Sequence, residues 1–367
     1  MPDVPPLRFP EFTGEWQCKA IEKVAPLQRG FDLPTQNLVE GIYPVIYSNG
    51  ILQHHDKYKC EAPGLITGRS GTIGKFTYID SGFYWPHNTS LWVTDFCGNC
   101  PKFIYYLYQT VHIEQFSTGS GVPTLNRNDV HRYKTSVPTA IVEQEKIAKF
   151  LSILDERIVT QNKIIEDLNK LKSAIIEMEY THKTKGNTHI GDFIEQTSKR
   201  NKDSAIQNVL SVSNSQGFIQ QCEQFENRSV ASDDISNYKI VERNCFAFNP
   251  ARINVGSIAR LTTFNRGIVS PMYICFRTKD NLFPEYLDYY FESKQFFTEI
   301  QKRLEGSVRQ CLSYEGLCNI PLCIPTVEVQ QQTGKRLSTL VQEIKLEIDF
   351  LELLQKQKKF LLHQMFI

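Results

Sequence analysis

A long helical pattern occurs twice in this sequence, 186 residues apart, and that duplication limits the folds open to the chain. From Glu143 to Glu179 it reads EQEKIAKFLSILDERIVTQNKIIEDLNKLKSAIIEME, with no Pro and no Gly. Apolar residues recur at steps of four and three: Ile147, Leu151, Leu154, Ile158, Ile165, Leu168 and Ile175, with Gln161 and Lys172 at two seam positions. About four heptads of this kind predict a helix roughly 50 Å long with a narrow adhesive stripe, which needs a partner helix. The partner lies in the segment Thr333 to Phe366 of the same chain. There Leu337, Leu340, Ile344, Leu351, Leu354 and Leu361 match Leu151, Leu154, Ile158, Ile165, Leu168 and Ile175, and Lys358 matches Lys172. The lead-ins SVPTAIVEQE and CIPTVEVQQQ also correspond, with Pro138 and Pro325 just upstream. Apolar seam, polar seam and flanking proline recur together, so this is an internal repeat.

Between and before the helices lie two stretches that follow one outline. Residues 1–140 open with a Trp-containing piece and continue through strand-like runs, GIYPVIYSNG, GLITGRSGTIGKFTYID and TSLWVTD, punctuated by Gly, Asn and Asp. FIYYLYQTVHIEQF (Phe103 to Phe116) has helical periodicity and is predicted to pack on that sheet; a Gly-rich loop, STGSGVPTLNRNDV, leads on to the first long helix. Residues 181–328 begin with THKTKGNTH, a helix stop of Lys, Gly and Asn after Tyr180. They contain the strand-like NCFAFNP, INVGSIARLTTF and GIVSPMYICFRT, then a predicted helix PEYLDYYFESKQFFTEIQKRL, then a small-residue loop EGSVRQCLSYEGL. The organisation is globular segment 1–140, helix 141–180, globular segment 181–328, helix 329–367, an α+β class. Shared helices with divergent heads suggest one task performed twice with two specificities.

The bulk properties exclude several classes. The 367 residues suffice for two or three domains with cores of their own, and 22% charged residues are ordinary for a globular chain. A net charge of +1 gives no global basic bias, so a nucleic-acid surface must come from local patches. No stretch approaches 18 apolar residues and the start MPDVPPLRFPEF is not signal-like, which predicts a cytoplasmic protein without membrane contact. The ten Cys are not a disulfide framework. Cys97 and Cys100 form a CxxC without a second pair, and are read as small buried thiols rather than a zinc site; no metal site is expected.

No catalytic motif is complete. Gly68, Gly71, Gly74 and Lys75 (GRSGTIGK) fall short of a phosphate loop, because Phe76 stands where Ser or Thr must follow the Lys. The glycines are read as a strand-edge turn, or as a place of close backbone approach to a phosphate with Arg69, Ser70 and Lys75 at hand. FNPA (Phe248 to Ala251) lacks the second Pro and the aromatic of the amino-methyltransferase motif, and no glycine-rich cofactor motif precedes it. There is no GxSxG, no HExxH and no acidic cluster for a nuclease; His54 and His55 are read as a surface pair. No catalytic residue is assigned, and recognition is favoured over catalysis.

The polar candidates fall in loops. Ser120, Thr124, Asn126, Arg127 and Asn128 precede the first long helix, and Ser307, Arg309 and Gln310 hold the matching place in the second half. Asn249, Arg252, Asn254, Ser257, Arg260 and Arg266 cluster in the second globular segment. Arg and Asn can bond bidentately to guanine and adenine edges, and Ser, Thr and Lys commonly bond phosphates; the competing reading is solvated turns.

GLITGRSGTIGKF, STGSGVPTLNRNDV running to VP, EQEKIAKFLSILDERI, FNPARINVGSI and GIVSPMYICF together resemble the specificity subunit of type I restriction-modification enzymes, over essentially the whole chain. The resemblance implies two target recognition domains separated by two long antiparallel helices forming an intramolecular coiled coil, with pseudo-two-fold symmetry. Each domain would read one half of a bipartite double-stranded DNA site, and the helices would set the half-site spacing. It also implies two modification (methyltransferase) subunits docked on the helices, with restriction subunits joining to cleave. No cofactor is expected in this chain; S-adenosylmethionine, ATP and Mg would sit on the partners. The alternative is a coiled-coil protein-protein adaptor without DNA readout. One departure is Gly334 where the first helix has Ala148, which predicts a frayed or shifted start to the second helix.

Overall fold

A computed structural model describes residues 4–118, 123–181, 188–214, 216–221, 234–306 and 310–367. The chain forms two compact units, and neither is contiguous with the heads read from sequence: unit 1 is Met1–Asn162 with Asp349–Ile367, and unit 2 is Lys163–Ile348. The long helices, Ile141–Thr181 and Val327–Met365, are each divided between the units.

In unit 1 a four-stranded sheet has the order Leu27–Arg29, Ser90–Val93, Gly64–Gly68, Phe76–Ile79, all neighbours antiparallel. A second sheet joins Gly50–His55, Tyr43–Tyr47, Phe83–Pro86 and Cys60–Glu61, with Tyr43–Tyr47 and Phe83–Pro86 parallel. Trp16–Ala20 pairs with Lys134–Pro138 immediately before the first long helix. A head helix, Pro101–Thr110, places Pro at its first turn, where the missing N–H costs nothing, and buries Phe103, Ile104, Tyr106, Leu107 and Tyr108. The core then takes Ile147, Ala148, Leu151 and Leu154 from the start of one long helix and Leu354, Leu361, Met365 and Phe366 from the end of the other. Start and end sharing one core means the two segments run antiparallel.

Unit 2 repeats this plan. Its four-stranded sheet has the order Ile194–Thr197, Ile274–Thr278, Phe246–Phe248, Ile258–Arg260, again wholly antiparallel. In both units the fourth strand of the set lies between the first and the second. A head helix, Pro284–Tyr290, buries Tyr286, Leu287, Tyr289 and Tyr290, and Leu337, Ile176 and Tyr180 of the long helices pack into the same core. The parallel extends to single contacts. Phe366 meets Phe103 at 5.2 Å in unit 1, and Tyr180, its counterpart 186 residues back, meets Tyr286 at 4.9 Å in unit 2.

Each unit also contains one buried glutamine that the sequence reading passed over. Gln144, 3% exposed, donates to Asn99 Oδ1 and the Pro138 carbonyl and accepts from Cys100 N, at 2.9, 3.0 and 2.8 Å. Gln330, 0% exposed, donates to the Asn281 and Pro325 carbonyls and accepts from Phe283 N, at 3.1, 2.9 and 2.8 Å. Each accepts from the residue ahead of a head helix and donates to the proline of the lead-in, so one amide ties head to long helix.

Several expectations are corrected. The helix carrying Gly334 is neither frayed nor shifted; it runs from Val327, and buried Gly334 makes room for Glu285, whose Cγ and Oε2 would lie 3.3 Å from an added Cβ. The two polar seam positions Lys172 and Lys358 are both partnered. Lys172 pairs with Glu292 at 2.5 Å over the Tyr289 ring, and Lys358 with Asp155 at 2.6 Å over the Tyr106 ring. Leu151, Leu154, Leu337, Leu340, Ile344, Leu354 and Leu361 are buried, and Ile158, Ile165, Leu168, Ile175 and Leu351 half-buried. The Phe103–Phe116 pattern is not one helix: His112 turns left-handed at φ 50°, and a short 3-10 turn, Ile113–Phe116, follows. Likewise Pro284 to Leu304 divides at Ser293, which caps a second helix, Lys294–Gln301. His54 and His55 are not a surface pair, since His55 is 4% exposed and its Nδ1 meets the backbone of Val39. Cys97 is an exposed turn residue and Cys100 half-buried, because the turn is closed by Asp95 accepting from Cys97 N rather than by packing.

Candidate nucleic-acid interface

In unit 1 the loop after strand Gly64–Gly68 and the segment ahead of the short helix Arg127–Arg132 meet. Arg69 N donates to the Thr89 carbonyl and the Arg69 carbonyl accepts from Leu125 N; Gly71 N donates to the Pro123 carbonyl, and Ser70 bridges to Thr124. Gly74, at φ 83°, returns the chain to the next strand in the left-handed conformation that glycine tolerates. These bonds bring two sequence-predicted groups to one cleft of about 430 Å³, lined by Arg69, Thr124, Asn126 and Arg127 above buried Leu91 and Leu125. Thr118 and Arg29 complete it, and neither was predicted; Arg29 comes from the first strand of the sheet and pairs with exposed Asp32. Asn126 uses its side-chain oxygen to cap the short helix at Asn128 N, and its two amide N–H donors remain for the cleft. Lys75 and Asn128 are exposed but do not line the cleft. Ser120 lies outside the described residues.

The cleft's floor depends on a neutral histidine. His131 Nε2 accepts from Leu27 N at 2.9 Å, two residues before Arg29. Desolvation, with Arg127 adding to it, holds His131 below its ordinary value of 6.5, against the opposing pull of Glu22.

Unit 2 places its candidates differently. Asn249, Arg252 and Ser257 line a recess of about 360 Å³ together with Ser211, Tyr238, Ser270 and Tyr273. The recess follows strand Phe246–Phe248, the counterpart of Gly64–Gly68, and Gly256 at φ 88° plays the part of Gly74. Asn249 Oδ1 accepts from Ala251 N, and Ser257 donates to the Val212 carbonyl. Asn254 is exposed on the 3-10 turn Ile253–Val255. Arg266 lies in another recess, about 790 Å³, with Lys199, Arg200 and Lys202, three cations the sequence reading missed because they follow a strand rather than a glycine-rich loop. Arg260 is not free to contact a ligand: it is held by Asp288 at 2.9 Å and Glu285 at 3.4 Å. Ser307 and Arg309 lie outside the described residues, and Gln310 is exposed. Among the described residues no group of three or more His, Cys, Asp or Glu could hold a metal, and no helix is long and apolar enough to cross a membrane.

Residues 13–170, which include the Arg69 cleft, match the family model described as type I restriction modification DNA specificity domain. The chain thus carries a type I restriction-modification DNA specificity domain over residues 13–170. It is therefore a DNA sequence-specificity protein. Among solved structures, the S subunit of a type I restriction-modification system from M. genitalium is similar at 17% identity, covering 99% of each chain with a TM-score of 0.65. A chain from a study of complex assembly and conformational transition of the type I R-M system aligns at 13% identity, over 96% of this chain and 98% of that one, with a TM-score of 0.55. At such identities these likenesses speak for the fold. No curated protein sequence matches the chain.

Proposed function

We propose that each unit reads one half of a bipartite, asymmetric DNA site, and that the long helices fix the number of base pairs between the halves. The cleft carrying Arg29, Arg69 and Arg127 within the specificity domain supports this reading most directly. A chain of net charge +1 concentrates cations there and around Lys199, Arg200, Lys202 and Arg266, as local contact with a polyanion requires. Thr124, Asn126, Asn249, Arg252, Asn254, Ser257 and Arg266 are assigned as further contacts, with Lys75 and Asn128 at the margin. The chain acts by recognition in the cytoplasm. Methylation and cleavage are assigned to two modification subunits and to restriction subunits, which would carry S-adenosylmethionine, ATP and Mg. A protein adaptor without DNA readout would have no use for Arg69 and Arg127, which have no acidic partner among the described residues, in one cleft.

Methylome sequencing of a host with the modification genes, with and without this gene, tests the reading. A bipartite methylated motif is expected only with the gene; its absence would refute the assignment. Removing one heptad from each long helix shortens each by roughly 10 Å, about three base pairs of B-DNA. The spacer should shorten accordingly while both half-sites persist.

A further inference from the structure

We infer that the unit 1 cleft is a guanine-reading site, with Arg69 and Arg127 as the residues that determine specificity in that half of the DNA target. The inference rests on the DNA-recognition reading and goes beyond it by naming the base.

Arg69 is the anomaly that points there. Four arginines are half-buried among the described residues: Arg8, Arg69, Arg260 and Arg303. Three of them hold carboxylates, Arg8 with Glu143, Arg260 with Asp288 and Glu285, and Arg303 with Glu299. Arg69 has no acidic partner and no side-chain hydrogen bond among the described residues, although its backbone is fixed on both sides by Thr89 and Leu125. A guanidinium withdrawn from water and left without an acceptor is unfavourable unless a ligand supplies one. Arg127, exposed on the same cleft, also lacks an acceptor among the described residues.

The chemistry of the lining selects the ligand. Arg29, Arg69 and Arg127 are pure donors; Asn126 offers its amide N–H groups while its oxygen already accepts from Asn128 N, and the hydroxyls of Thr118 and Thr124 can donate as well as accept. A cleft so rich in donors suits a ligand edge made of acceptors. In the major groove guanine offers O6 and N7, both acceptors, whereas adenine and cytosine present an amino group that would meet a donor here. A phosphate is also all acceptor, but it has no need of the fork geometry and accepts Lys equally well.

The experiment uses the complete chain co-expressed with its modification subunits. Methylomes are compared for wild type, Arg69→Ala, Arg69→Lys and Arg127→Ala. One G·C pair in one half-site should become degenerate in Arg69→Ala and Arg127→Ala, with the other half-site and the spacer unchanged, whereas Arg69→Lys, which can still donate to O6 and N7, should keep a weaker preference for G. On duplexes carrying the wild-type motif, 7-deazaguanine at that position should weaken binding of the wild-type complex by roughly 5- to 150-fold, and should cost the Arg69→Ala complex little more. A full motif methylated at a uniformly lower level in Arg69→Ala identifies a phosphate contact and overturns the inference. Degeneracy at an A·T pair also overturns it. If Arg69→Ala abolishes all methylation, exposed Arg127 and the 7-deazaguanine measurement decide. If wild type yields no motif, the DNA-recognition reading itself fails and this inference falls with it.

Discussion

At the scale of single residues, the determinants are polar groups whose every bond can be named. Gln144 and Gln330 each close three hydrogen bonds between a head helix, a proline lead-in and a long helix. Truncating either to Ala leaves buried backbone groups unpaired, so a loss of about 2 to 3 kcal/mol is expected in urea unfolding. Hydrogen exchange should localise the opening near Cys100 in Gln144→Ala and near Phe283 in Gln330→Ala. His131 sets a pH dependence. Because its folded-state value lies below 6.5, the stability it supports is complete above that value. As the pH falls past it the unfolded chain binds the proton first, and that stability is lost progressively until the native ring titrates. The unfolding midpoint should drop between about pH 7.5 and about pH 5.5, and drop less in His131→Ala.

At the scale of elements, the long helices and the α+β heads were legible because periodicity reports which face is buried. The glutamine ties were present in the same repeat, Gln144 and Gln330 being 186 residues apart, yet lay outside the apolar seam that guided the reading. The broken head helices were not legible, since their apolar spacing continues through His112 and Ser293 while the backbone turns. Half of the unit 1 cleft could be anticipated from its loops. Arg29 could not, because only strand pairing carries it there, and Arg260 looked available because Asp288 is 28 residues away in sequence. Gly334 illustrates how helix propensity and packing compete. Ala removes the glycine's cost of about 1 kcal/mol, and the only neighbour to yield is the Glu285 side chain. Gly334→Ala should therefore raise the thermal midpoint slightly, by an amount reduced by whatever is lost in the Arg260–Glu285 pair.

At the scale of the whole molecule, duplication explains why two divergent heads share one strand order: each is completed by half of each long helix. Phe366, the last ring of the chain to be buried, packs in the first unit. Phe366→Ala should cost about 3 kcal/mol there, and hydrogen exchange should show unit 2 unaffected. The same division dictates an order of events during synthesis. Unit 2 holds only residues up to Ile348, whereas unit 1 needs Asp349–Ile367. At 5–20 residues per second the ribosome adds the remaining 205 residues (367 − 162) in roughly 10 to 40 s, and for that time the first head lacks the Leu354, Leu361, Met365 and Phe366 that belong to its core. The head translated first is thus the last to finish folding, and a premature stop near the end of the gene damages the domain encoded at its beginning.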